Sequence, residues 1–142
     1  MDDSTLALLR FLSHATRLLD QLLSETAAAW QISLPEVRIL LFLSCVPALD
    51  TARDVALHCG MSKASVSGNV LKLVTRGLLT AEMDLSDRRF QRLALTEQAE
   101  PVVDAIREAV GRFREEILAP LAPEERALFL RLLAPITDAS EE

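Results

Sequence analysis

Apolar positions recur at helical spacing along most of the chain. Over residues 5–30, Leu8, Leu12, Ala15, Leu19 and Leu22 step by three or four, and Leu9, Leu18 and Leu23 widen the stripe. So broad a face can serve the chain's own core and a second copy of the chain, or the core alone. A second helix opens at Ser33-Leu34-Pro35-Glu36, where a hydroxyl and a carboxylate three residues on can each satisfy an orphan amide. Val37, Leu40, Leu41 and Leu43 bury it, and Pro47 ends it. Asp50 or Thr51 caps a short third helix in which Val55, Ala56 and Leu57 are expected to pack inward, until Gly60 stops it. Ser62 caps a fourth helix running to Arg76, with Val66, Val70, Leu73 and Val74 as its expected inner face and Gly77 as its terminator.

The period then changes. Leu79 to Met83 and Phe90 to Leu95 are short strand-like runs separated by the turn chemistry of Asp84-Leu85-Ser86-Asp87. Helical spacing resumes after Thr96 with Val102, Val103, Ile106, Val110, Phe113 and Ile117; Pro101 fits its first turn and Pro120 breaks it. A last helix starts at Ala122-Pro123-Glu124, carries Leu128, Phe129, Leu132 and Leu133, and is expected to end near Pro135, with Asp138 to Glu142 disordered. The pattern predicts a mainly α chain with one small β-hairpin.

Composition narrows the class. Half of the 142 residues are apolar, a quarter are charged and only four are Gly, as in a globular domain with a sizeable core. The formal charge is −6, yet residues 51–96 hold seven Lys/Arg against four acids, so a basic middle lies between acidic ends and is the part suited to a polyanion. The start, acidic before apolar, is unlike a secretory signal, and no apolar run has the length of a membrane span. Cys45 and Cys59 form no CxxC site or disulfide framework. A soluble, cytoplasmic protein with reduced thiols is expected, with no membrane partner.

Two short helices joined by Cys59-Gly60-Met61 form a helix-turn-helix. Ser62, Lys63, Ser65, Ser67 and Asn69 are its candidate base- and phosphate-reading side chains, and Asn69 suits adenine if it points outward. A solvated helix face is the bland alternative. The hairpin changes the balance, because its tip, Asp87-Arg88-Arg89, offers Arg to a narrow minor groove, and Asp87 can orient a neighbouring Arg.

These stretches together resemble the MarR (multiple antibiotic resistance regulator) family: Gly60-Met61-Ser62-Lys63-Ala64-Ser65-Val66-Ser67, then Arg76-Gly77-Leu78-Leu79, Asp84-Leu85-Ser86-Asp87-Arg88-Arg89 and Leu93-Ala94-Leu95-Thr96. The resemblance implies a single winged helix-turn-helix module over 1–142, with the DNA-binding lobe in 33–96 and dimerisation helices in 5–32 and 97–137. It implies a homodimer on a pseudo-palindromic duplex, the helix from Ser62 to Arg76 in the major groove, Arg89 inserted in the minor groove and Asp87 holding it. Lys72, Arg76 and Arg88 complete the expected DNA-binding set. The chain departs from the family pattern at Gly68 and Ala81, where many members carry a cation, and at Ala99, where the family has Gly. Fewer phosphate contacts predict a weaker or differently oriented complex.

The resemblance further implies a repressor relieved by a small aromatic or phenolic effector. Arg17, Trp30, Phe42 and His58 are the candidate pocket, since aromatics beside a cation suit a carboxylated ring; the plainer reading puts Trp30 and Phe42 in the core and Arg17 on the surface. An oxidant switch through an early cysteine is not expected, because none precedes Cys45; Cys45 and Cys59 read as small buried hydrophobes, with a thiol switch at Cys59 as the minor alternative. His14, His58 and two distant Cys make a poor metal set, no nucleophile–base pair or phosphate loop is visible, and no cofactor or catalysis is expected. The alternative function is a winged-helix dimer with weakened or lost DNA binding, serving as a protein–protein interaction module.

Overall fold

The computed structural model describes residues 1–138. Six helices and one hairpin follow each other along these residues: α1 (Asp3–Trp30), α2 (Leu34–Cys45), α3 (Ala52–Cys59), α4 (Lys63–Thr75), β1 (Leu79–Met83), β2 (Gln91–Leu95), α5 (Glu100–Leu118) and α6 (Pro123–Asp138), with a 3-10 turn at Glu97–Ala99 leading into α5.

The helix boundaries follow from local chemistry. At α2 both halves of the capping box form: the Ser33 amide donates to Glu36 Oε1 at 3.1 Å and the Glu36 amide to Ser33 Oγ at 3.3 Å. Of the two candidates before α3, Thr51 is the cap, closing a second box with Asp54 and leaving Asp50 for another partner. Gly60 and Gly77 take the left-handed backbone, at φ 63° and 79°, that turns the chain out of α3 and past α4.

The core is centred on α2, which packs against α3, α4 and β2 as well as against α5 and α1. Leu23, Val37, Ile39, Leu40, Val55, Val66, Leu73, Leu79 and Ile106 are fully buried there, each contributing on the order of 1.5–3 kcal/mol relative to exposure. The hairpin pairs antiparallel with Leu79 opposite Leu95 and Ala81 opposite Leu93. Thr96 fixes its base to the end of α4, its hydroxyl donating to the Gly77 carbonyl at 2.6 Å and its amide to that of Leu78 at 3.1 Å.

Four details differ from the sequence expectation. Leu57 is exposed, because it follows the inward Val55 by two positions and residues two apart on a helix cannot face the same way. Val74 is largely turned out beside the buried Leu73 for a similar reason. Phe90 stands outside the strand, closing the hairpin loop by donating to the Asp87 carbonyl and accepting from the Asp84 amide. Pro135 does not end α6, which continues to Asp138: the proline forfeits the one ladder bond that its nitrogen would make to the Arg131 carbonyl, and beyond it Thr137 Oγ1 donates to the Leu133 and Ala134 carbonyls. Asp138 is thus helical, and the rest of the tail expected to be disordered lies outside the described residues.

The two ends of the chain meet. The Phe11 and Phe129 rings touch edge to face at 5.7 Å, but α6 buries no residue. Leu8, Leu9 and Leu12 on α1 and Leu128, Leu132 and Ile136 on α6 remain exposed.

Candidate nucleic-acid interface

The recognition candidate α4 buries Val66, Val70 and Leu73 and exposes Ser62, Lys63, Ser67, Lys72 and Arg76. Ser65 is half-buried, and Asn69 is turned in: its Nδ2 donates to the Ser65 carbonyl at 2.8 Å and contacts Ser65 Oγ at 3.4 Å. The adenine-reading role considered for Asn69 required an outward side chain, and the orientation here is the opposite.

Between α3, α4 and the hairpin runs an open groove of about 690 Å³, lined by Arg53, Lys63, Ser67, Arg89, Phe90 and Gln91 among others. It brings Lys63 and Ser67 of the helix to the Arg89 of the wing. It also includes Arg53, which the sequence placed in the basic middle without a role; its position in the first turn of α3, facing outward opposite Val55, is the signal that could have found it.

The wing is built on two carboxylates. Asp84 Oδ1 accepts from the Ser86 amide at 2.8 Å, the Ser86 hydroxyl at 2.6 Å and the Asp87 amide at 3.2 Å, while Oδ2 accepts from Arg92 Nε at 2.8 Å. The Ser86 hydroxyl, then the Arg92 guanidinium, then the two amides hold the Asp84 carboxyl far below the usual carboxylate range. Arg92 also reaches back, Nη1 to Asp50 Oδ1 at 2.6 Å, and the Leu93 amide donates to the Asp50 carbonyl at 2.8 Å. Asp50 and Arg92 therefore tie the wing to the loop before α3; the sequence offered Asp50 only as a cap.

At the tip, Asp87 accepts from the Arg89 amide at 3.0 Å, from Nε at 3.0 Å and from Nη2 at 2.7 Å. Arg89 holds the Asp87 carboxyl below its ordinary range, and Asp87 raises the Arg89 guanidinium in turn. The Arg89 side chain is still 85% exposed. An ion pair so open adds little stability; what it supplies is direction, fixing the guanidinium at the wing tip.

Arg76, at the C-cap of α4, donates from Nε to Glu36 Oε2 at 3.1 Å. Glu36 is buried, and its other oxygen serves the α2 capping box. Arg53, Lys63, Lys72 and Arg88 carry no ion pair among the described residues.

The four candidate pocket residues do not converge. Arg17 and Trp30 lie on one helix, thirteen positions and about 20 Å apart. Arg17 lines a shallow hollow of about 420 Å³ with Leu9, Arg10, Ser13 and His14. Trp30 is 42% exposed and so is not core either. Phe42 and His58 do meet, their rings stacked at 5.7 Å. Cys45 is exposed rather than buried, and Cys59 is half-buried; burial pushes the Cys59 thiol up, which keeps it protonated and weakly nucleophilic near neutral pH. No cluster of three or more potential metal ligands, and no single helix long and apolar enough to cross a membrane, occurs among the described residues.

The sequence model of the MarR family matches residues 30–89, from the end of α1 to the wing tip. A MarR transcriptional regulator from Methanosarcina mazei Go1 is 16% identical and superposes with a TM-score of 0.77, covering 94% of this chain and 95% of its own. PcaV, a transcriptional regulator from Streptomyces coelicolor solved in complex with its natural ligand, is 29% identical, with a TM-score of 0.62 over 94% of this chain and 91% of its own. Bordetella bronchiseptica BpsR, whose DNA binding is regulated by 6-hydroxynicotinic acid, is 21% identical, with a TM-score of 0.70 over 92% of this chain and 98% of its own. The family match spans the helix-turn-helix and the wing tip, and over nearly its whole length the chain has the fold of these MarR-type winged helix-turn-helix regulators.

Proposed function

We propose that the chain is a cytoplasmic, homodimeric, sequence-specific DNA-binding transcription regulator, acting as a repressor that a small-molecule effector relieves. The observation that carries this reading is the groove in which Lys63 and Ser67 of α4, Arg53 of α3 and Arg89 of the wing share one surface. α4 enters the major groove, and the wing carries Arg89, aimed by Asp87, to the adjacent minor groove. Ser62, Lys72 and Arg88 add backbone contacts; Ser65, half-buried, stands at the margin of the contact. The uncovered leucines of α1 and α6 supply the dimer contact, so that residues 33–96 form the DNA-binding lobe and the terminal helices the dimerisation part.

For the effector, BpsR and PcaV provide the precedent of ligand-bound regulation, with 6-hydroxynicotinic acid in the former. In this chain the hollow at Arg10, His14 and Arg17, with Leu9 beside it, has the cation and apolar wall that a small carboxylated or phenolic ring would need. The stacked Phe42 and His58 are a separate aromatic platform.

The test is a salt-titrated binding assay on the promoter DNA beside the chain's own gene and on random duplex. Affinity is expected to fall steeply and linearly on logarithmic axes, with the promoter preferred. Equal affinity for the two would refute specific regulation. A second reading, an interaction module with weakened DNA binding, draws on one observation: Arg76, Arg89 and Arg92 are each paired to an acid, which lowers the positive charge that this face presents.

A further inference from the structure

The centre of the outward face of α4 offers no free side-chain hydrogen-bond donor to a base edge. On a helix, positions i, i+4, i+7 and i+11 share a face, and counting from Ala64 these are Gly68, Leu71 and Thr75. All four are exposed, and Leu71 is 67% exposed, the most solvent-accessible large apolar side chain of the helix. Thr75 Oγ1 is occupied with the Leu71 carbonyl at 2.8 Å, and Asn69 is turned to Ser65. The cations Lys63 and Lys72 lie to either side of this strip, with Ser67 at its edge.

An exposed leucine standing alone needs no explanation. This one sits midway along the helix that faces the basic groove and has small residues beside it on the same face. Gly68 has open space where a Cβ would be, so the helix backbone can approach a groove floor closely there. Among base edges in the major groove, one apolar group offers itself, the C5-methyl of thymine.

We infer that Leu71, seated beside Ala64 and Gly68, is a specificity-determining residue that selects thymine by contact with its methyl group. This rests on the DNA-binding reading above and names the chemistry by which that site discriminates. The flanking lysines supply phosphate contacts that are indifferent to sequence, while the apolar strip is indifferent to charge and sensitive to one methyl.

The experiment starts from a random-sequence duplex pool enriched by the wild-type protein. In the enriched duplex each dT is then replaced singly by dU, which removes only the C5-methyl. At one or more positions in each half-site the wild-type protein is expected to lose about fourfold in affinity, the value of one buried methyl-sized group. Leu71→Ala, with its fold verified by circular dichroism, should bind more weakly and show no response to dU at those positions. Wild-type binding unchanged by every dU, or an equal loss by wild type and Leu71→Ala, overturns the inference while leaving DNA binding intact. Failure of the pool to enrich overturns the DNA-binding reading itself and the inference with it.

Discussion

At the scale of single residues, the wing shows how much two carboxylates can organise on an exposed loop. Asp84 and Asp87 are both held below the ordinary carboxylate range, Asp84 by the Ser86 hydroxyl and Arg92, and Asp87 by Arg89. A folded-state depression of this kind favours the folded wing at any pH above the unfolded value, about 3.9, and is lost as pH falls through the lower folded value. The amide resonances of Ser86 and Arg89 should therefore stay unchanged from neutral pH down to about 4 and move only below it; a titration centred at the ordinary carboxylate value would show that the turn is open in solution. Arg89→Ala should reduce the salt slope of DNA binding, as a titration against sodium chloride would report; an unchanged slope would remove Arg89 from the DNA-contacting set. The turn chemistry was legible because Asp and Ser act on amides two or three residues away. The outer face of α4 was less so. Ser65, Ser67 and Asn69 are polar at every second position, a strand period, and a helix cannot show all three to one side. The structure leaves Ser67 out, Ser65 half in and Asn69 inside, with Leu71 outward.

At the scale of elements, the chain couples helix ends to one another through side chains that each serve two purposes. Glu36 completes the α2 capping box with one oxygen and holds Arg76, at the end of α4, with the other. Glu36→Ala should cost about 2 kcal/mol, from a lost cap and unpaired donors around a buried site. Urea unfolding would show it, and a loss under 0.5 kcal/mol, the scale of an ordinary surface substitution, would mean that water replaces the carboxylate. Gly68 separates stability from binding. Gly68→Ala should stabilise α4 by up to about 1 kcal/mol, because nothing stands near the added Cβ, yet lower DNA affinity by lifting the helix from the groove floor; thermal melting and a binding isotherm on the same sample check both signs. Helix starts could be read from sequence because capping is local: Ser33 and Ser62 are caps in the structure as well. The partnership of Asp50 with Arg92, 42 residues apart, has no local signature and needed the fold to become visible.

At the scale of the molecule, the long apolar stripe of the first helix divides in two. Leu22 and Leu23 enter the core, whereas Leu8, Leu9 and Leu12 lie uncovered beside an α6 that buries nothing. The sequence showed the breadth of the stripe but not where along α1 it changes purpose, since that depends on where α5 stops covering it. The proposed function requires that two such ends, placed together, bring two copies of α4 and two wings to one side of the pair. The most direct test is hydroxyl-radical footprinting of the protein on a duplex enriched from random sequence. The account predicts two protected stretches related by two-fold symmetry, their centres about 10 base pairs or one helical turn apart, with flanking minor-groove protection that disappears in Arg89→Ala. A single, asymmetric protected stretch, or protection that Arg89→Ala leaves intact at the flanks, would contradict it.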